Sequence, residues 1–322
     1  AKVNASLSYS RKPDESSLRN SLSDLLSAKG FFEIMTNSLG SSAHTSLVKE
    51  LDASAGVGIL NPLSSELDQM RQTLLFSGLQ SVAYNLNRKN ADLKLYEFGK
   101  VYRRAGEGYG EKRQLALFIT GNKFPETWNS NKEKADIFYL KGFLEAVLQK
   151  TGIDPEGFAP LSSSYLEQAF EWQAAGGSLV RAGKVRGTLL SAFEIEVPVL
   201  YAECEWDRLV ELRTRHAIRY REVPRFPSVR RDLSLLTDLE TSFDYLKQIA
   251  FRAENRILRE VSIFDKYIPQ AGQKGSIPAG KKSYALSFIL RDEERTLADK
   301  QIEQVMQRLI MAFEKEGIEI RK

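Results

Sequence analysis

From Ser16 to Lys29, Leu18, Leu22, Leu25 and Leu26 recur at helical spacing and Gly30 follows, which predicts an amphipathic helix with a glycine stop. Phe31 to Thr36 is a short apolar, β-leaning run and reads as a strand. Glu66 to Asn87 reads as a second helix, with Ser64 or Ser65 as its cap and Glu66 and Asp68 at its positive end. From Leu93 to Arg103, Leu95, Glu97, Gly99 and Val101 alternate with Tyr96, Phe98, Lys100 and Tyr102, the period of a strand. Gln114 to Thr120 has the same apolar character, and the glycine-rich run Ala105 to Gly110 between them predicts an antiparallel hairpin. Residues 133–151 carry Ile137, Leu140, Phe143, Leu144, Val147 and Leu148 on one helical side, and 178–190 and 199–205 read as two further strands. An antiparallel sheet with helices, an α+β domain, follows.

The second region is simpler. Strands at 232–236, 258–267, 283–291 and 318–321 and helices at 242–253 and 297–316 give βαββαβ, with Thr241 or Ser242 capping the first helix and Gly317 ending the second. In this ferredoxin-like arrangement both helices cover one sheet face and leave the other open, which suits single-stranded RNA. Along 283–291, Tyr284, Leu286, Phe288 and Leu290 share the predicted helix side, and Ser283, Ala285, Ser287 and Arg291 the open side.

The 322 residues are 42% apolar and 27% charged, which excludes disordered and fibrous classes and predicts two domains. No run reaches the roughly 20 apolar residues of a membrane span, and no signal-peptide pattern opens the chain, so a cytoplasmic protein without a membrane partner is expected. One cysteine, Cys204, and two histidines, His44 and His216, rule out an internal disulfide and a Cys/His metal site, and leave little room for a nucleophilic triad. The net charge of +4 becomes informative only when mapped. Residues 213–231 hold seven arginines against Glu222, a local +6, with Pro224 and Pro227 disfavouring a continuous helix. A boundary is expected here, and the arginines read equally as a solvated arm or as a phosphate-facing surface.

Two motifs invite chemistry. Gly106 to Gly110 looks like a phosphate loop, but a dinucleotide fingerprint needs a helix after it and a strand follows instead, so a hairpin turn is preferred. NPLSSELDQMRQTLL at 61–75, with Gly78-Leu79, Asn85, Arg88 and LYEFGKVY at 95–102, resembles the beta subunit of bacterial phenylalanyl-tRNA synthetase. DIFYLKGFLE at 136–145 and GFFEIMTNSL at 30–39 are similar to further motifs of that family. RFPSVRRDLSLL (225–236), IFDKYIP (263–269), KSYALSF (282–288) and RTLAD (295–299) resemble its anticodon-binding domain.

The resemblance implies a class II synthetase-like, non-catalytic domain at 1–212, a basic linker at 213–224 and a ferredoxin-fold anticodon-binding domain at 225–322. It implies part of a phenylalanine–tRNA ligase, an alpha2-beta2 assembly using ATP and Mg2+, in which the alpha subunit carries the active site. This chain then contributes scaffold, alpha-subunit interface and tRNA-Phe recognition. No ATP or Mg2+ bound by this chain, no catalytic or metal residue in it and no DNA partner are expected. Tyr96-Glu97-Phe98-Gly99 lacks the arginine of motif 2, and Gly183 to Leu189 lacks the motif 3 pattern. Such arginines hold phosphates in working sites. Leu190-Ser191-Ala192-Phe193 replaces the family's Gly-x-Leu-His-Pro, and Asn37 stands at the motif 1 proline. The missing initiator methionine and upstream domains imply a fragment. By the resemblance, Tyr267 stacks on the first anticodon base while Asp265 and Ser283 hydrogen-bond it. Read from the residues alone, Tyr267 packs an edge strand and Asp265 forms a turn. Arg71 is read either as a surface helix residue paired with Glu66 or Asp68, or as one ordering the local fold or a subunit seam. The alternative function is a stand-alone RNA-binding or regulatory paralogue.

Overall fold

The computed structural model describes residues 15–129, 132–153, 158–174, 176–215, 220, 222–269, 277–278 and 280–321. The chain divides into two compact units, 1–219 and 220–322. The first runs α1 (Glu15–Ala28), β1 (Phe32–Glu33), β2 (Leu39–Gly40), α2 (Ser42–Thr45), β3 (Val57–Gly58), β4 (Gln69–Met70), α3 (Leu75–Leu86), β5 (Leu93–Ala105) and β6 (Gly108–Thr120). It continues with α4 (Ile137–Thr151), β7 (Phe158–Pro160), β8 (Leu166–Ala174), β9 (Gly177–Val185), α5 (Gly187–Ser191), β10 (Val199–Glu205) and α6 (Trp206–Arg215). Seven strands form one sheet in the order β1-β5-β6-β10-β9-β8-β7, antiparallel except for the β1–β5 pair.

Local signals explain much of this. Gly30 adopts φ +85°, and Phe31 N–H returns to the Leu26 carbonyl at 3.0 Å, which closes α1 where the glycine predicts. Asp136 caps α4 by accepting from Tyr139 N–H at 2.8 Å, and Gly152 at φ +75° ends it. Ala105 pairs with Gly108, so Gly106 and Glu107 form a two-residue turn between two strands, and the loop is a hairpin.

Both faces of the large sheet are covered. Tyr96, Leu115, Leu117, Leu200 and Ala202 pack under α1, α4 and α6, whereas Leu95, Ala116, Phe118 and Tyr201 pack under α3 and α5. Helix α3 approaches closely because Gly78 has no side chain: a Cβ there would lie 1.9 Å from the Phe118 ring.

Several predicted elements are corrected. The helix expected over 66–87 begins only at Leu75, and neither Ser64 nor Ser65 caps it. Gln69 and Met70 instead pair with β2 and β3 in a three-stranded sheet, and Thr73 Oγ1 accepts from Leu75 N–H at 3.1 Å. Only Phe32 and Glu33 of the 31–36 run pair as a strand. The strand expected over 178–190 stops at Val185 and the chain turns into α5. Strand β8 escaped sequence reading because its alternation is interrupted: Gln168 has φ +48° and the register slips between Glu167 and Phe170. Helix α6 carries the chain through Arg215, so residues 213–215 of the predicted linker are helical. Arg219 and Arg221 of the basic run lie outside the described residues.

The second unit runs β11 (Val229–Asp238), α7 (Phe243–Ala253), β12 (Leu258–Tyr267), β13 (Lys281–Leu290), α8 (Asp299–Lys315) and β14 (Glu319–Arg321), the βαββαβ order that the periodicity predicts. Its sheet order is β12-β13-β11-β14. Ser242 caps α7 by accepting from Tyr245 N–H at 3.2 Å, and Gly317 takes φ +75° after α8. Tyr284, Leu286, Phe288 and Leu290 pack with Leu246 and Ile249 of α7 and Ile302, Val305, Leu309 and Phe313 of α8. The helices therefore cover one face only.

Candidate nucleic-acid interface

The helix-free face of the second unit is set by register. Tyr267 on β12 stands opposite Ser283 on the central strand β13, and Asp265 opposite Ala285. Ser283 in turn faces Leu236 on β11. Because directly opposed side chains project from the same sheet face, Tyr267, Asp265 and Ser283 share one surface, with about 5 Å between opposed Cα atoms. Tyr267 is 42% exposed on an edge strand, while Ser283 is only 5% exposed. The difference is one of size and position: the serine lies low between its cross-strand neighbours Tyr267 and Leu236, and the tyrosine ring rises at the rim.

The floor of this surface is rich in hydroxyls. Ser283 and Ser234 oxygens lie 3.4 Å apart, and those of Ser262 and Ser287 2.8 Å apart. Sequence reading placed Ser287 on this side but missed Ser234 and Ser262, whose signal is the same alternation on the flanking strands.

In the first unit the segment Tyr96–Gly99 tells a different story. Arg71, read as a possible surface helix residue, lies off any helix and is buried, and its partner is Glu97 rather than Glu66 or Asp68. Arg71 Nη1 donates to Glu97 Oε1 at 2.9 Å and to Thr36 Oγ1 at 2.7 Å, and Arg71 Nε donates to the Lys100 carbonyl at 2.9 Å. Thr36 Oγ1 also hydrogen-bonds Glu97 Oε2 at 2.7 Å. The backbone joins in: Arg71 N–H donates to the Ser38 carbonyl, and Tyr102 N–H to the Arg71 carbonyl, both at 2.9 Å. Gly99 makes room for the guanidinium, since a Cβ there would lie 2.5 Å from Arg71 Nη2. Asn37, at the position of the motif 1 proline, accepts from Leu39 N–H at 3.0 Å and turns the chain toward β2. These groups neutralise one another.

Farther along the same face, Glu203 accepts from Tyr201 Oη at 2.6 Å, Thr73 Oγ1 at 2.9 Å and Gln114 Nε2 at 2.8 Å. Removal from water pushes the Glu203 carboxyl above its ordinary value, and burial does the same to the Tyr201 hydroxyl. A cavity of 710 Å3 beside it is lined by Glu203 and Glu205 together with Lys112 and Arg181. Phe193, in the segment that departs from the family pattern, is buried against His44, with ring centroids 4.8 Å apart, and stacks on Phe76. Burial lowers the His44 pKa. Among the described residues, no three His, Cys, Asp or Glu side chains form a group fit to hold a metal ion, and no helix is long and apolar enough to cross a membrane.

Residues 3–206 match the family described as the phenylalanyl tRNA synthetase beta chain CLM domain, and residues 224–321 match the ferredoxin-fold anticodon binding domain. A phenylalanine–tRNA ligase beta subunit from Bacteroides thetaiotaomicron is 38% identical over 97% of this chain and 39% of its own length. One from Porphyromonas gingivalis is 37% identical over 99% of this chain and 40% of its own. The chain therefore spans about two fifths of the length of the curated relatives it matches. Among solved structures, a pyrrolysyl-tRNA synthetase from Desulfitobacterium hafniense is 18% identical, with a TM-score of 0.48 over 63% of this chain and 70% of that one.

Proposed function

The chain belongs to the phenylalanyl-tRNA synthetase beta-chain family, and on that premise we propose that it supplies scaffold, alpha-subunit contact and anticodon recognition to a cytoplasmic phenylalanine–tRNA ligase. The observation that carries the reading is the convergence of Tyr267, Asp265 and Ser283 on a helix-free sheet face. An exposed ring offers a stacking platform to an unpaired base, worth about 1–3 kcal/mol. The Asp265 carboxylate accepts from ring and exocyclic N–H groups of a guanine, and the Ser283 hydroxyl both donates and accepts.

The first unit supports the scaffold role. Adenylate chemistry needs positive groups aimed at phosphate. Here the strand position of motif 2 presents Glu97, and the nearby Arg71 donates to Glu97, Thr36 and the Lys100 carbonyl. These residues do not fit ATP, and ATP and Mg2+ belong to the alpha subunit in this reading. Phe32, Met35, Leu60 and Leu63 are strongly exposed, and large apolar side chains of this kind are what a partner subunit covers.

The test is aminoacylation of tRNA-Phe by the assembled ligase. Tyr267→Ala is expected to raise the tRNA KM with little change in the KM for ATP or phenylalanine. Unchanged tRNA KM and tRNA affinity would overturn the anticodon assignment. Complex mass after mixing this chain with alpha subunit tests the scaffold role, and absence of any complex would confine that role to the longer chain. ATP–pyrophosphate exchange by this chain alone would overturn the non-catalytic reading.

A further inference from the structure

Strand β12 carries a second ring on the helix-free face. The ladder slips by one residue between Ile263, opposite Leu286, and Asp265, opposite Ala285, so Phe264 is the extra residue of a β-bulge. In a regular strand Phe264, following the core-packed Ile263, would face away from the core and Asp265 would return to it. The bulge lets Phe264 and Asp265 both leave the core side. Phe264 is 53% exposed, which leaves its ring face accessible from solvent.

The ring is not bare. Arg230 of β11, opposite Ile289 and hence on the helix-free face, holds its guanidinium 5.0 Å from the Phe264 centroid. Its Nε is oriented by Asp232 Oδ1 at 2.9 Å. A cation over an exposed ring is worth only about 0.5–1 kcal/mol, so the pair is readily opened by a better occupant. A base brings a larger π-face, and its phosphate gives the displaced guanidinium a stronger partner. Phe264 and Tyr267 are three residues apart on one strand, about 10 Å by strand rise, with the hydroxyl floor of Ser262, Ser283 and Ser287 beside them.

Resting on the anticodon reading of this face, we propose that Phe264 is a second stacking platform, which takes the loop base next to the one seated at Tyr267 while Arg230 turns to the phosphate that joins them. The occupant is single-stranded RNA, because stacking needs splayed bases and Arg230 needs a phosphate.

The experiment uses the complete beta chain in the assembled ligase and an RNA hairpin with the tRNA-Phe anticodon loop, 2-aminopurine replacing one loop base at a time. Quenching is expected at two adjacent positions, one lost in Tyr267→Ala and the other in Phe264→Leu. Phe264→Leu should weaken hairpin binding about tenfold, and Phe264→Trp should retain it. Arg230→Gln should lower the slope of log affinity against log salt by about 0.7, one phosphate contact to a single strand. If Tyr267→Ala weakens binding but Phe264→Leu changes neither affinity nor quenching, the second platform is overturned and the anticodon reading stands. If the unaltered ligase does not bind the hairpin, the anticodon reading fails and takes the platform with it.

Discussion

The two large sheets of this chain are built mainly from antiparallel pairs, yet they end in opposite states. The seven-stranded sheet has helices on both faces, and its buried carboxylate Glu97 is closed off by Arg71 and Thr36. The four-stranded sheet has helices on one face only and leaves Tyr267, Phe264 and a row of serines on the other. The lesson is physical. A sheet covered twice must pair the charges it buries, as Glu97 is paired with Arg71. One covered once must keep a polar, solvent-compatible face, which a nucleic-acid base is able to use.

The sharpest way to break this contrast is to open the buried pair. Arg71→Ala leaves Glu97 in the interior without its cation and should cost about 3–5 kcal/mol of stability, read by urea denaturation. Replacing both residues by apolar ones of similar volume should recover most of it. A loss below about 1 kcal/mol for the single variant would mean that the pair does not close the face.

The next effect concerns how tightly the first sheet is covered. Gly78→Ala drives a methyl into the Phe118 ring and should cost about 1–3 kcal/mol, with partial recovery on adding Phe118→Leu. Thermal melts of the two single variants and the double variant decide it, and strict additivity of the losses would refute direct contact.

On the open sheet the expectation reverses. Tyr267→Ala removes a rim ring, so its stability change should stay within about 0.5 kcal/mol while tRNA affinity falls several-fold. A large stability loss would assign the ring to packing after all.

The smallest effect is a pH dependence. The folded Glu203 carboxyl titrates above its ordinary value of 4.5 because burial disfavours the charge. Protonation therefore favours the folded state, and the stability that Glu203 contributes is present at low pH and lost as pH rises from about 4.5 through the raised folded value. The stability difference between wild type and Glu203→Gln should be larger in favour of wild type at pH 5 than at pH 7. A difference independent of pH would show that Glu203 titrates normally.

Much of the candidate interface was legible in the chain. The alternation over 283–291 separates Ser283 from Tyr284, Leu286 and Phe288, and the strand at 258–267 has the bounds that its pattern predicts. What alternation does not carry is the bulge. Strict alternation from Ile263 would turn Asp265 and Tyr267 toward the core, and their placement on the helix-free face depends on how β12 pairs with β13 around the bulge. Strand β8 was hidden for the same reason, since its register slip removes the two-residue period that marks a strand.

By itself the sequence determined the βαββαβ order, the 105–108 hairpin and the ends of α1, α4 and α8, because glycine stops, side-chain caps and the helical and strand periods are properties of neighbouring residues. Only the tertiary structure decided that 66–74 is not helix, that Arg71 seeks Glu97, and that the bulge in β12 turns Asp265 and Tyr267 to the helix-free face. Arg71 and Glu97 are 26 positions apart. A buried charge takes whichever partner the fold brings within reach, and where none of the chain's local preferences oppose it strongly, that demand outweighs helix propensity.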